Sequence, residues 1–147
     1  MNVVVMGCGR VGARVSSILD NNGHRVTVID TNATAFRRLS PDFRGDTVLG
    51  TGIDEDVLKS AGIERADAFI AVTNGDNRNI MAGQVARVMF HVEDVIIRIY
   101  DPVREDTYRR LGFSTVCPTT TVSALIIDQV IGATDRAPYR RAEANEG

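Results

Sequence analysis

No apolar run in this 147-residue sequence approaches the roughly 20 residues needed to span a bilayer; the segments at 3–6, 26–29, 68–72 and 95–97 all stop far short. A membrane-crossing segment is not expected. The opening MNVVV has neither the basic stretch nor the long apolar core of a signal peptide, so the expected location is the cytoplasm. Concentrated positive charge is also missing: 17 Lys and Arg against 19 Asp and Glu leave a formal charge of −2, with Lys59 the only lysine, and nucleic acid is an unexpected partner. The two cysteines, Cys8 and Cys117, have no CxxC or other ligand spacing, so no metal site is expected and both read as thiols in a reducing compartment. GxxxxGK[ST], GxSxG and an SxxxYxxxK-like pair do not occur, and His24 and His91 read as surface residues without catalytic partners. What remains, at 44% hydrophobic and 24% charged, has the size and composition of one ordinary globular domain.

Short, mostly apolar strands at 3–6, 25–29, 47–49, 68–72, 95–99 and 115–117 alternate with helical segments starting near Arg10, Asn32, Asp54, Gly75, Pro102 and Thr121. Continuous apolarity is what strands buried on both faces require, and the alternation predicts an α/β fold: a Rossmann-like doubly wound parallel sheet of about six strands in the order 3-2-1-4-5-6. Punctuation agrees with this reading. Asn22-Gly23, Gly62 and Gly112 stop helices, and Asp54 or Glu55 and Asp101-Pro102 start them. The domain is expected over 1–134, with 135–147 (DRAPYRRAEANEG) a polar tail or linker without apolar periodicity.

Gly7-Cys8-Gly9-Arg10-Val11-Gly12 directly follows the first strand and opens a helix, the context that makes a GxGxxG match specific. Gly7 permits the tight turn, Gly9 lets backbone approach a diphosphate, and Gly12 lets helix pack closely on strand; free N–H groups at the helix start, including that of Val11, then face an anion. Asp30 ends the second strand 18 residues beyond Gly12. Its carboxylate can accept both ribose hydroxyls of an adenosine and would repel a 2′-phosphate, so NAD, ATP, ADP or AMP fit better than NADP. The competing role for Asp30 is a cap for the next helix, for which Thr31 and Asn32 are better placed. Arg10 reads either as a phosphate contact or as a solvated first-turn arginine, and Cys8 as a small buried thiol.

Hydride transfer needs a substrate pocket beside the nicotinamide, usually supplied by a second domain, and the sequence has none. It reads as a nucleotide binder without equipment for consuming the nucleotide, hence as a non-enzyme. The stretch 122–131 (VSALIIDQVI) is apolar around most of a helix, more than a terminal helix on a sheet needs, which points to a symmetric dimer.

Taken together, the glycine loop, Val28-Ile29-Asp30, Gly50 followed by 54–63 (DEDVLKSAGI), 66–73 (ADAFIAVT) with Asp76 and Asn79, Ile97-Arg98-Ile99, Asp101-Pro102 and 108–112 (YRRLG) resemble the N-terminal domain of regulator-of-potassium-conductance (RCK) proteins, the TrkA-N or KtrA-like domain of Trk and Ktr potassium uptake. The resemblance covers about 1–132. It implies a cytoplasmic regulatory subunit that binds NAD(H) or an adenine nucleotide (ATP, ADP, AMP), assembles as a dimer or an octameric ring, and gates a membrane potassium channel or transporter at the inner membrane face without inserting into it. Carried over by position, Gly7, Gly9, Arg10 and Gly12 surround phosphates, Asp30 and Thr31 hold the ribose, Thr73 and Asn79 line the cleft, and Arg98 lies near the distal phosphate or a neighbouring subunit. A salt bridge at a strand end is the alternative for Arg98. Two features depart from the family: Gly50-Thr51-Gly52-Ile53 lacks the family's usual carboxylate near the adenine, and no C-terminal RCK lobe is present in these residues. The readings from other classes are a detached NAD-binding domain of an oxidoreductase and a soluble nucleotide or redox sensor.

Overall fold

The computed structural model describes residues 1–132, so the tail expected at 135–147 lies outside the described residues. Six parallel strands, β1 (Asn2–Met6), β2 (Arg25–Asp30), β3 (Asp46–Leu49), β4 (Ala68–Ala71), β5 (Asp94–Arg98) and β6 (Ser114–Val116), form one sheet in the order β3-β2-β1-β4-β5-β6. The expected topology is therefore the observed one. β1 sits at the centre, with Val5 opposite both Val28 and Ile70.

Side chains alternate between two cores. Val3, Val5, Val26 and Val28 point to the face covered by α1 (Arg10–Asn21) and a 3-10 turn over Ala33–Arg38. Val4, Met6, Phe69, Val95 and Ile97 point to the other, where α2 (Glu55–Ser60) contributes Leu58 and α3 (Asp76–Val88) contributes Ile80, Ala82 and Ala86. This explains why the central strand β1 reads as an unbroken apolar run: with elements packed on both its faces, Val3 to Met6 have no side free to be polar. α4 (Pro102–Arg110) follows β5 with Tyr108 packed on the second core.

The helix signals act as read. Asp54 accepts from Asp56 N (2.8 Å) and Val57 N (3.2 Å), Asp101 accepts from Val103 N (3.0 Å), and Gly62 and Gly112 carry left-handed φ of 82° and 89°. α2 runs from the strand C-termini back toward the strand starts, so exposed Lys59 in its last turn sits beside the rim that carries Asn2, Arg25 and Asp46. Two starts differ. The segment after Asn32 is only a six-residue 3-10 turn, cut short by Pro41, which disfavours helical geometry at Ser40. The last helix, α5 (Pro118–Ile131), begins three residues before Thr121 because Pro118 takes the first helical position.

No residue of α5 is buried. Its large apolar side chains are exposed, from Ile127 at 39% to Val130 at 78%, while Ile70 and Ile96 remain only half-covered on the α1 face. No helix among the described residues is long and apolar enough to cross a membrane.

Candidate functional site

Between β1 and β4 the chain's direction of travel across the sheet reverses, leaving a crevice beyond the C-terminal strand ends where α/β sheets place ligands. The crevice has a volume of about 270 Å³ and collects the turns after five strands: Gly7 and Gly9 after β1, Asp30 and Thr31 at β2, Gly50 to Gly52 after β3, Thr73 and Asn74 after β4, and Arg98 at the end of β5. A second depression of about 390 Å³ lies at the opposite rim among Arg25, Asp46, Gly62 and Arg65, away from the Gly7–Gly12 loop and the start of α1.

Each loop glycine has a measurable reason. Gly7 has φ of 107°, and a Cβ there would stand 3.0 Å from Thr73 N; a Cβ on Gly12 would collide with the Gly7 carbonyl; one on Gly9 would meet nothing within 4 Å. The loop thus presses against the strand ends on one side and stays open on the other. α1 starts at Gly9 without any side-chain cap, so its first-turn N–H groups have no partner in the helix and present positive potential to the crevice.

Asp30 is fixed across from this loop. Its Oδ2 accepts from Cys8 N (2.7 Å) and its Oδ1 from Asn32 N (2.8 Å). Both oxygens are thereby oriented, and each keeps a lone pair for a ligand hydroxyl. The cap of the 3-10 turn is Asn32, which accepts from Thr34 N at 3.0 Å, so Asp30 is not needed for that task. Beside it, burial first and the Asp30 charge second push the Cys8 thiol above its ordinary pKa, against an opposite pull from Arg38.

Asn79 behaves differently from the cleft-lining role implied for it. It is fully buried, and its amide serves the protein: Nδ2 donates to Thr73 O and Arg98 O, each at 2.9 Å, while Oδ1 accepts from Thr73 N (3.0 Å) and Thr73 Oγ1 (2.6 Å). It ties the ends of β4 and β5 together and positions Thr73, which does line the crevice. Arg98 donates through Nη2 to Thr73 O (2.9 Å), lies 4.9 Å over the Tyr100 ring, and keeps a buried Nε without a partner. Val11 is exposed, and Arg10 lines a groove along α1 instead of the crevice.

Sequence reasoning missed Arg78, which lines the crevice from the first turn of α3 and reaches Asn74 Oδ1 at 3.3 Å. A cation in a helix's first turn opposes the dipole, and that was the available signal. With Arg98 it gives the crevice two guanidiniums. An orphaned arginine donor, an uncapped helix start with open space at Gly9, and an oriented carboxylate make a donor set suited to the phosphates and ribose of a nucleotide.

Comparison with known proteins decides the family. The TrkA-N domain model matches residues 3–119. This chain belongs to the TrkA-N family. It is similar to the Trk system potassium uptake protein TrkA of Streptomyces coelicolor, with 55% identity over 116 residues, 79% of this chain and 52% of that protein. A TrkA homolog of Pyrococcus abyssi is 34% identical over 76% of this chain and 49% of its own length. The chain spans about half the length of the curated relatives it matches. Among solved structures the TrkA-N fold matches the Kef CTD of Shewanella denitrificans in AMP-bound form (TM-score 0.80, 18% identity, 99% of this chain and 94% of that one). It also matches the GsuK channel bound to NAD (TM-score 0.67, 21% identity, 82% and 22%).

Proposed function

We propose that this TrkA-N domain is the ligand-sensing part of a regulatory subunit for a Trk- or Ktr-type potassium channel or transporter, and that it binds NAD(H) or an adenine nucleotide (ATP, ADP or AMP) as a signal. The observation that carries the reading is the Asp30 carboxylate, held by Cys8 N and Asn32 N, facing the open start of α1. In this reading Asp30 and Thr31 take the ribose, the N–H groups around Gly9 to Gly12 take the first phosphates, and Arg98 with Arg78 takes the more distant charge. The AMP-bound and NAD-bound relatives of the same fold support the ligand class.

The names of the relatives, Trk system potassium uptake proteins, support a membrane potassium transporter as the partner, and a regulatory subunit of it is proposed to sit on the cytoplasmic side of the membrane. The uncovered apolar side of α5 and half-covered Ile70 and Ile96 support a homodimer, the unit from which a ring would be built. Ligand exchange changes the geometry between paired domains, and only ligands that bind the two arrangements with different free energies shift the balance.

Thermal-shift titration with NAD, NADH, ATP, ADP and AMP tests the core of this. A ligand present at a hundred times its Kd adds about 2.7 kcal/mol to apparent stability. Asp30→Ala is expected to lose most of the shift; a full response in that variant would remove the ribose role. Steady NADH oxidation with a small substrate would favour the oxidoreductase alternative instead.

A further inference from the structure

The outer side of α1 and the segment 38–40 wall a shallow groove of about 600 Å³ that adjoins the glycine loop without sharing the crevice's lining. Arg10 and Arg14 stand one helical turn apart on one wall, and Arg38 contributes from the other. Among the described residues, arginine ion pairs involve Arg44, Arg109 and Arg110 and none of these three. No carboxylate lines the groove. Ser17 Oγ accepts from Ser40 N (3.1 Å) and Ser40 Oγ from Asp42 N (3.4 Å), so both hydroxyls keep a hydrogen to donate. Like charges at i and i+4 repel, and Arg10 also opposes the helix dipole, so the arrangement is unfavourable until an anion neutralises it.

We propose that this groove is an anion site, separate from the nucleotide crevice, that takes a phosphate group between Arg14, Arg38 and Arg10. Three guanidiniums and two hydroxyls offer more donors than the two oxygens of a carboxylate can use, whereas a phosphate or diphosphate can satisfy them. The phosphate belongs either to a soluble phosphorylated compound or to a phospholipid headgroup.

The test titrates the full chain with inorganic pyrophosphate, and separately with phosphatidylglycerol vesicles against phosphatidylcholine vesicles, at matched ionic strength. Wild type and Asp30→Ala are expected to bind one of the two phosphate probes alike, and whichever probe binds identifies the source. Arg14→Gln/Arg38→Gln is expected to weaken that binding by about tenfold or more, and to keep the wild-type nucleotide shift. Equal binding by the double variant and wild type would overturn the site, as would binding of neither probe, or binding of polyglutamate as tight as that of pyrophosphate. A missing nucleotide shift with intact groove binding would instead count against the crevice reading alone.

Discussion

Asn79 braces the crevice without lining it. Every polar atom of its amide is matched, and its partners are the backbone ends of two neighbouring strands. Asn79→Leu, of similar size, takes the donor from Arg98 O and the acceptor from Thr73 N, while Thr73 O keeps Arg98 Nη2, and each group left unpaired costs about 1–3 kcal/mol. Chemical denaturation is expected to show a lower midpoint with unchanged slope and a loss of at least about 2 kcal/mol; a loss near zero would mean that Arg98 O and Thr73 N find other partners. Cys8 gives a pH-dependent counterpart. Its thiol pKa is raised by burial and then by Asp30, so the neutral form is favoured by folding. That stabilisation is complete below the unfolded thiol's pKa and is lost as pH rises through the higher folded value. Cys8→Ala is therefore expected to flatten the alkaline decline in stability relative to wild type, read from denaturation midpoints between neutral and strongly alkaline pH. Parallel profiles would contradict it.

At the scale of elements, contact between α1 and β1 rests on one missing methyl group. Gly12→Ala would drive a Cβ into the Gly7 carbonyl, so helix and loop must separate. The expected cost is about 1–3 kcal/mol, together with loss of the nucleotide-induced thermal shift. Retention of both stability and shift would show that the loop can yield without penalty. How far the elements could be read beforehand follows from what fixes each one. Strand identity and order were legible because Val3 to Met6 and its neighbours are buried on both faces, and the glycine spacing around Gly7 and the position of Asp30 are set by backbone geometry. The short turn after Asn32 was not, since its length depends on Pro41 ending a helix that the preceding residues would have continued. Arg78 and the outward lean of Arg10 were not legible either: whether a long side chain enters a crevice or an outer groove is decided by neighbours from other strands, such as Asn74 and the segment around Arg38.

The whole molecule is asymmetric in its cover. One face of the sheet is packed by α2, α3 and α4, whereas the other has α1 and a short turn over one half and nothing of α5 over the rest. If a second copy supplies the missing cover, Leu125→Glu on exposed α5 is expected to convert a dimer into a monomer in sedimentation at micromolar concentration, with nucleotide binding by each domain intact. An unchanged sedimentation coefficient would assign the apolar side of α5 to another occupant. The molecule is also lopsided in its chemistry. Arginine supplies all its positive side chains but one, and guanidiniums do not react with amine-directed reagents at neutral pH. Lys59 and the Met1 α-amine both stand at the rim where the strands begin, so a surface coupled through primary amines would hold the molecules by that rim, crevice outward, ready for binding to be read in a flow cell.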